Sequence, residues 1–316
     1  MLPSNELVHL HLLLNHFPTV GLIVAVGMFV MAILRQSEEL KQGSLAIMFA
    51  IALVALATYM TGYSAEKSLK NVAGVSQEII DLHQRAALLA LVLMEVTGVA
   101  AWFGLYSAHR GRLTRTHTTA MLVLSFATIG VMTGVANIGG YIRHPEILAS
   151  PAAVPTSMFA PAWLDSRFIT QYQYDHAWAW KSLESLHFMG LCLLFGVVTV
   201  VNTRLLGWLP NAPLDGMRKL LPWGVLGFGA NTVTGMLFFI GQAFQYIENP
   251  AFHAKMLCIL LAGADVLYLT WNHDVWNLEP GQTPPTAVKL LAASQVALWI
   301  GVIYFGRMLP YIGDAF

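Results

Sequence analysis

The chain has 316 residues, 56% of them hydrophobic and only 11% charged, with 17 Lys and Arg balanced by 17 Asp and Glu. An ordinary soluble domain carries about 25% charged residues, so this composition excludes a soluble globular protein, and the zero formal net charge leaves no electrostatic footprint for nucleic acid. Apolar runs recur that are long enough to cross a bilayer, for which a helix needs about 20 residues.

Taken in chain order, those runs predict eight helices, near 9–34, 44–63, 84–107, 117–138, 184–206, 219–243, 254–273 and 287–308. The opening MLPSNELVHLHLLLNHFP lacks the basic residues that precede the core of a secretory signal, so it reads as the start of the first helix. Pro18 removes a backbone donor and is expected to kink that helix beside His16. The third and fourth helices are joined by the dense basic loop HRGRLTRTH. Residues 141–183 hold Pro145, Pro151, Pro155 and Pro161 and then Tyr172, Tyr174, Trp178 and Trp180, which reads either as an external linker at headgroup level or as a partner-docking surface. Basic residues in short loops lie on the side away from the N-terminus, so the positive-inside rule puts both termini outside. The expected fold is all-α integral membrane, with two tandem four-helix bundles at 1–140 and 184–316 separated by the 141–183 linker. The expected location is a bacterial inner membrane, with both termini periplasmic.

The two bundles read as an internal repeat. His16-Phe17 matches His187-Phe188, Thr61-Gly62 matches Thr234-Gly235, His83 matches His253, and Glu95 matches Asp265, at offsets of 171, 173, 170 and 170. Four helices per copy would keep both copies in one orientation.

First and third helices of an up-down bundle run the same way and can face one another. That predicts His16 with His83, and His187 with His253, as axial ligands of one or two b-type haems near the outer face. A histidine at a helix end is, taken singly, an ordinary interfacial or hydrogen-bonding residue. His9 and His16 share a helix face, so His9, His16 and His83 offer a copper or zinc site as the alternative. Glu95 and Asp265, each about 18 Å along its helix from its histidine, are candidates for proton handling or a quinone pocket, or else hydrogen-bonded structural acids; Glu66 is a further candidate. Cys192 and Cys258 are isolated, with no CxxC or CxxCH anywhere, which excludes c-type haem attachment, thiolate zinc and iron–sulfur binding by this chain. The patterns GxGxxG, GxxxxGK[ST], GxSxG and HExxH are also absent.

The first half, through HLHLLLNHFPTVGL, TGYSAE and DLHQRAALLAL, resembles an uncharacterised four-helix bacterial membrane domain whose members occur beside Rieske iron–sulfur domains. The second half, through SLHFMGLCLLFG, TRLLG, NTVTG and NPAFHAKMLCILLAG, resembles another uncharacterised bacterial integral membrane family. The first resemblance implies redox work. The chain has no Rieske domain of its own, so such a centre would belong to a partner. The expected function is that of a b-type cytochrome, an electron-transfer subunit of an oxidoreductase complex relaying electrons between the quinone pool and a periplasmic c-type cytochrome or Rieske protein, beside other membrane subunits. A metal or small-solute transporter and a structural membrane anchor are the alternatives.

Overall fold

The computed structural model describes residues 4–70, 72, 75–108, 113–143 and 161–312. It is 87% helical, with no strand among the described residues. Eight helical stretches are long and apolar enough to span a membrane: Glu6–Leu34, Glu38–Leu69, Gln77–Ala108, Arg115–Ile142, Trp178–Leu205, Leu214–Gly241, Pro250–Trp271 and Thr286–Tyr311. The protein is therefore an all-α, multi-pass membrane protein. These are the eight helices expected from hydropathy, extended by polar turns that apolar runs do not reveal.

The chain forms two compact units, Met1–Phe168 and Ile169–Phe316. In the first unit, α1 (Ser4–Leu14) and α2 (Leu22–Leu34) form one span, joined by a π-helical turn at Phe17–Gly21 that carries Pro18. Proline cannot supply the N–H that a regular α-helical ladder needs there. Next come α3 (Glu38–Leu69), α4 (Gln77–Ala108) and α5 (Arg115–Arg143). Ser37 starts α3 by accepting from the Leu40 N–H at 3.2 Å, with Glu38 and Glu39 in the first turn, where carboxylates offset the exposed N–H groups. α3 packs against α1, α2 and α4, α4 packs against α5, and contact between α2 and α5 closes the ring. Phe29, Leu45, Met48, Met94, Leu105 and Met121 are fully buried inside it. Thr97 and Thr128 join α4 to α5 through their hydroxyls at 2.9 Å, the kind of interhelical polar link that apolar solvent favours.

The prolines at 145, 151 and 155 lie outside the described residues. The aromatic run that follows is helical: α6 spans Ser166–Asp175, and α7 (Ala177–Leu205) takes in Trp178 and Trp180. The last proline before α7 is Pro161, and the helical ladder over 166–205 is interrupted at His176, whose backbone is extended at φ −120 and ψ 95.

In the second unit, α7 is followed by α8 (Leu214–Arg218), α9 (Leu221–Gly241), α10 (Ala243–Glu248), α11 (Pro250–Trp271), α12 (His273–Trp276) and α13 (Thr286–Met308). α7 pairs with α9 and α11 with α13, α13 also packs on α7, and α9 meets α11 through the stacked rings of Phe239 and Phe252. α7 and α9 cross at Gly190 and Gly227, where a Cβ on Gly227 would lie 2.7 Å from the Gly190 carbonyl oxygen. Only two residues without side chains allow that approach. Between α11 and α13, buried Gln295 donates to the Ala262 carbonyl at 2.6 Å and accepts from the Trp299 indole N–H at 3.1 Å.

Candidate functional site

The polar chemistry of the first unit gathers where α1 and α4 begin and α3 and α5 end. His11 on α1 donates its Nδ1–H to the Thr58 carbonyl at 2.9 Å, with the Thr61 hydroxyl at 3.3 Å. Its Cε1 stands 3.3 Å from where a Cβ of Gly62 would be, so the Thr-Gly pair of α3 is the shelf on which this imidazole rests. His83 on α4 presses its Cε1 to 3.0 Å from the corresponding position of Gly139 on α5. Its Nδ1 is buried without a hydrogen-bond partner.

His16 is exposed and donates Nδ1–H to Leu12 of its own helix at 3.2 Å. His11 and His16 are five residues apart, about 140° around an α-helix, so one faces the bundle when the other does not. His9 is exposed too, and among the described residues no three His, Cys, Asp or Glu side chains converge as a metal ion would require. The copper or zinc trio of His9, His16 and His83 is thus not assembled.

A polar chain leads away from the two rings. Tyr59 and Tyr63 meet hydroxyl to hydroxyl at 3.4 Å. Gln84, next to His83, donates to Glu66 Oε2 at 3.3 Å and accepts from the Ser166 hydroxyl at 3.2 Å. Beyond it, Asp165 lies 3.6 Å from Arg85 and 3.2 Å from Arg167, and Arg167 reaches Asp81 at 3.1 Å. Partial burial pushes the Asp165 carboxyl up, but the hydrogen bonds and charge of Arg167 outweigh it and hold Asp165 below its ordinary range. The same hydrogen bonding raises Arg167.

The second unit repeats part of this arrangement. His187 on α7 lies against α9, its Nδ1 2.7 Å from the Thr234 hydroxyl and its Cε1 3.6 Å from the Cβ position of Gly235. Thr234 gives its own proton to the Ala230 carbonyl at 2.7 Å, so it accepts from His187 and leaves Nε2 as a lone-pair acceptor. His253 turns elsewhere: its Nε2–H donates to the Ile247 carbonyl at 2.8 Å, bracing the α10–α11 turn. Asn249 completes that brace, accepting from the Ala251 N–H and donating to the Leu309 and Ile312 carbonyls. Lys255, two positions after His253 and about 200° around the helix from it, lies along Gly306 of α13, its Nζ 3.7 Å from that glycine's Cβ position.

Glu95 and Asp265 each leave one buried carboxylate oxygen, Oε1 and Oδ2, without a hydrogen bond, while the Ser294 hydroxyl hydrogen-bonds the Asp265 carboxyl. Cys192 is exposed and Cys258 is partly buried.

His11, Lys255, Tyr59, Tyr63 and Gln84 are the site residues that sequence reasoning missed. The Thr-Gly pairs were the available signal, since each marks the shelf of its unit's first-helix histidine. No protein-family model matches the chain, and neither a curated protein nor a solved structure does.

Proposed function

We propose that the protein is a membrane-embedded electron-transfer subunit whose first unit would hold one b-type haem through His11 and His83. The observation that supports this reading is that two partly buried imidazoles, on α1 and α4, lie at the same end of a closed ring of helices, His11 against Thr58 and Gly62 and His83 against Gly139 with its Nδ1 unpartnered. His11 gives Nδ1–H to Thr58, which orients the ring and makes Nε2 the better donor to a metal. The buried, unpartnered Nδ1 of His83 is an orphan polar atom that needs an occupant, and neutral imidazoles bring no charge into lipid. Bound there, haem supplies a one-electron ferric–ferrous change. The protein residues orient the ligands, exclude lipid from them, and, through Tyr63, Gln84 and Glu66, place hydrogen-bonding groups between the site and the end of the bundle.

In this reading electrons pass between the quinone pool and a periplasmic c-type cytochrome or Rieske protein, across a bacterial inner membrane with both termini outside, as the basic short loops favour. Reduced-minus-oxidised spectra of protein expressed with ample haem test it. A b-type α band is expected, and its absence would sink the proposal.

A further inference from the structure

The second unit begins with an aromatic corner that the haem reading does not use. α6 and α7 meet at His176, whose backbone is extended. The Thr170 hydroxyl donates to the Ile240 carbonyl at 3.2 Å, and the amide of buried Gln173 donates to the Leu237 carbonyl at 2.9 Å. Both acceptors lie at the C-terminal end of α9, where carbonyls run out of intrahelical donors. Trp180, in the first turn of α7, lies on Phe238 with ring centroids 4.8 Å apart. α6 is thereby pinned across the end of α9, level with the head of α7.

With Thr170 and Gln173 committed to α9, the rings turn the other way. Tyr172 lies about 200° around the helix from Thr170. Its ring stacks on His176 at 4.2 Å, and the imidazole gives Nδ1–H to the Tyr172 carbonyl at 3.0 Å. Trp178 stands edge-on to both rings, at 6.2 and 6.1 Å. Tyr172 is 41% exposed and Trp178 59%. Trp178 also heads the lipid-facing stripe of α7: Met189 and Val200 follow, each 11 residues after the last and each exposed, a step that closes to within about 20° of three full turns.

Helix length sets the depth of the corner. The span Trp178–Leu205 has 28 residues, which is about 42 Å at about 1.5 Å each. Hydrocarbon accounts for about 30 Å of a bilayer, and the headgroup layers bring it to about 40–45 Å. With Leu205 and the exposed Trp208 at the opposite surface, Trp178 falls in a headgroup layer, above the hydrocarbon and below open water. Rings that pair an apolar body with an N–H or O–H suit that layer. The charged residues nearest in sequence, Asp175, Lys181 and Glu184, carry both signs, so nothing there selects anionic lipid.

We infer that this corner is a bilayer anchor: α6 lies along one membrane surface, and Tyr172, His176 and Trp178 sit among the headgroups of zwitterionic phospholipid. The anchor fixes the depth of α7 and, through Thr170 and Gln173, that of α9. It stands independently of the haem reading.

The test uses full-length protein with Cys192 and Cys258 replaced by Ala, reconstituted in phosphatidylcholine vesicles. Tyr172→Cys and Trp178→Cys each take a nitroxide label. Its collisions with oxygen, which concentrates in lipid, and with a nickel chelate, which stays in water, report depth. Met189→Cys supplies the hydrocarbon reference, and Thr283→Cys, in an exposed loop, the aqueous one. The oxygen-to-nickel ratio at both corner positions is expected to fall between the two references. A ratio at either position equal to that of Thr283→Cys would put the rings in water, as a protein-docking face requires, and overturn the proposal. A ratio equal to that of Met189→Cys would overturn it by putting them in hydrocarbon. A second measurement keeps the stacked rings of Tyr172 and His176 and needs no label. The fluorescence lost in Trp178→Phe isolates Trp178, and it should be quenched more strongly by phosphatidylcholine carrying a headgroup nitroxide than by phosphatidylcholine brominated in mid-chain or by soluble iodide. Stronger quenching by either of the latter would refute the anchor.

Discussion

The two units share a plan and differ in burial. In the first, α2 meets α5 and the ring is complete, and 61% of the most apolar window of Glu38–Leu69 is buried within the protein. In the second, α9 meets α11 through the stacked rings of Phe239 and Phe252, 5.7 Å apart, and no span buries more than 33% of its window. Each unit sets a Thr-Gly pair against a histidine of its first span, but the side chain that the third span lays along a glycine of the fourth is His83 in the first unit and Lys255 in the second.

The comparison breaks most sharply on haem content. His11→Ala and His83→Ala should each remove all the haem measured as pyridine haemochrome, while His16→Ala, His187→Ala and His253→Ala remove none. Loss of half the haem in His187→Ala would show that the units are alike in cofactor and refute the assignment of one haem to the first.

A second difference lies at the end of the second unit opposite His187. Arg204 is fully buried there and donates to the Ala212 and Glu279 carbonyls at 2.9 and 3.1 Å, beside turns that need Gly207 and Gly281 at φ +91 and +90. Arg204→Met should cost about 3 kcal/mol, since it leaves two carbonyls without a charged donor. Denaturant titration should show the loss while the haem band of the first unit persists.

The glycine crossings should cost somewhat less. A Cβ on Gly227 meets backbone of α7, and one on Gly98 would overlap the Cβ of Ala52 on α3. Overpacking of this kind costs about 1–3 kcal/mol. Gly227→Ala should lie at the upper end because backbone cannot step aside, and an equal or larger loss in Gly98→Ala would reverse that order.

The smallest effects are those of pH, and they fall on opposite sides. Asp165, held below its ordinary range when folded, contributes stability that is complete above the unfolded carboxylate pKa and is lost as pH falls through the folded one. Acid should thus loosen residues 161–168 first, seen as faster hydrogen exchange that Asp165→Asn abolishes. Tyr246, pushed up to about 12 by burial, contributes stability present below its unfolded pKa and lost as pH rises through 12. Its absorbance at alkaline pH should titrate late, and Tyr246→Phe should remove that component.

Much of this was legible in the sequence, and the limits follow a pattern. Thr61-Gly62 and Thr234-Gly235 each stand against a histidine of the first span of their unit, yet the histidine matched to the first was His16 and not His11. His253 was matched to His83 by residue type, although it is Lys255 that lies along a glycine of the fourth span, as His83 does. Both displacements are rotations about a helix axis. At about 100° per residue, a shift of two or five positions carries a side chain from the core to another face, and an apolar membrane helix has too little amphipathic contrast to reveal which face is which.

The sequence by itself determined the spans, because about 20 consecutive apolar residues have no other solvent than lipid, and it determined that the functional groups would be the few polar residues within them. Only the tertiary structure decided which of those groups meet. The closure of α2 on α5 and the stacking of Phe239 on Phe252 between α9 and α11 come from packing between separate segments of the chain, and packing fixes the rotation of each helix that its own hydropathy leaves free.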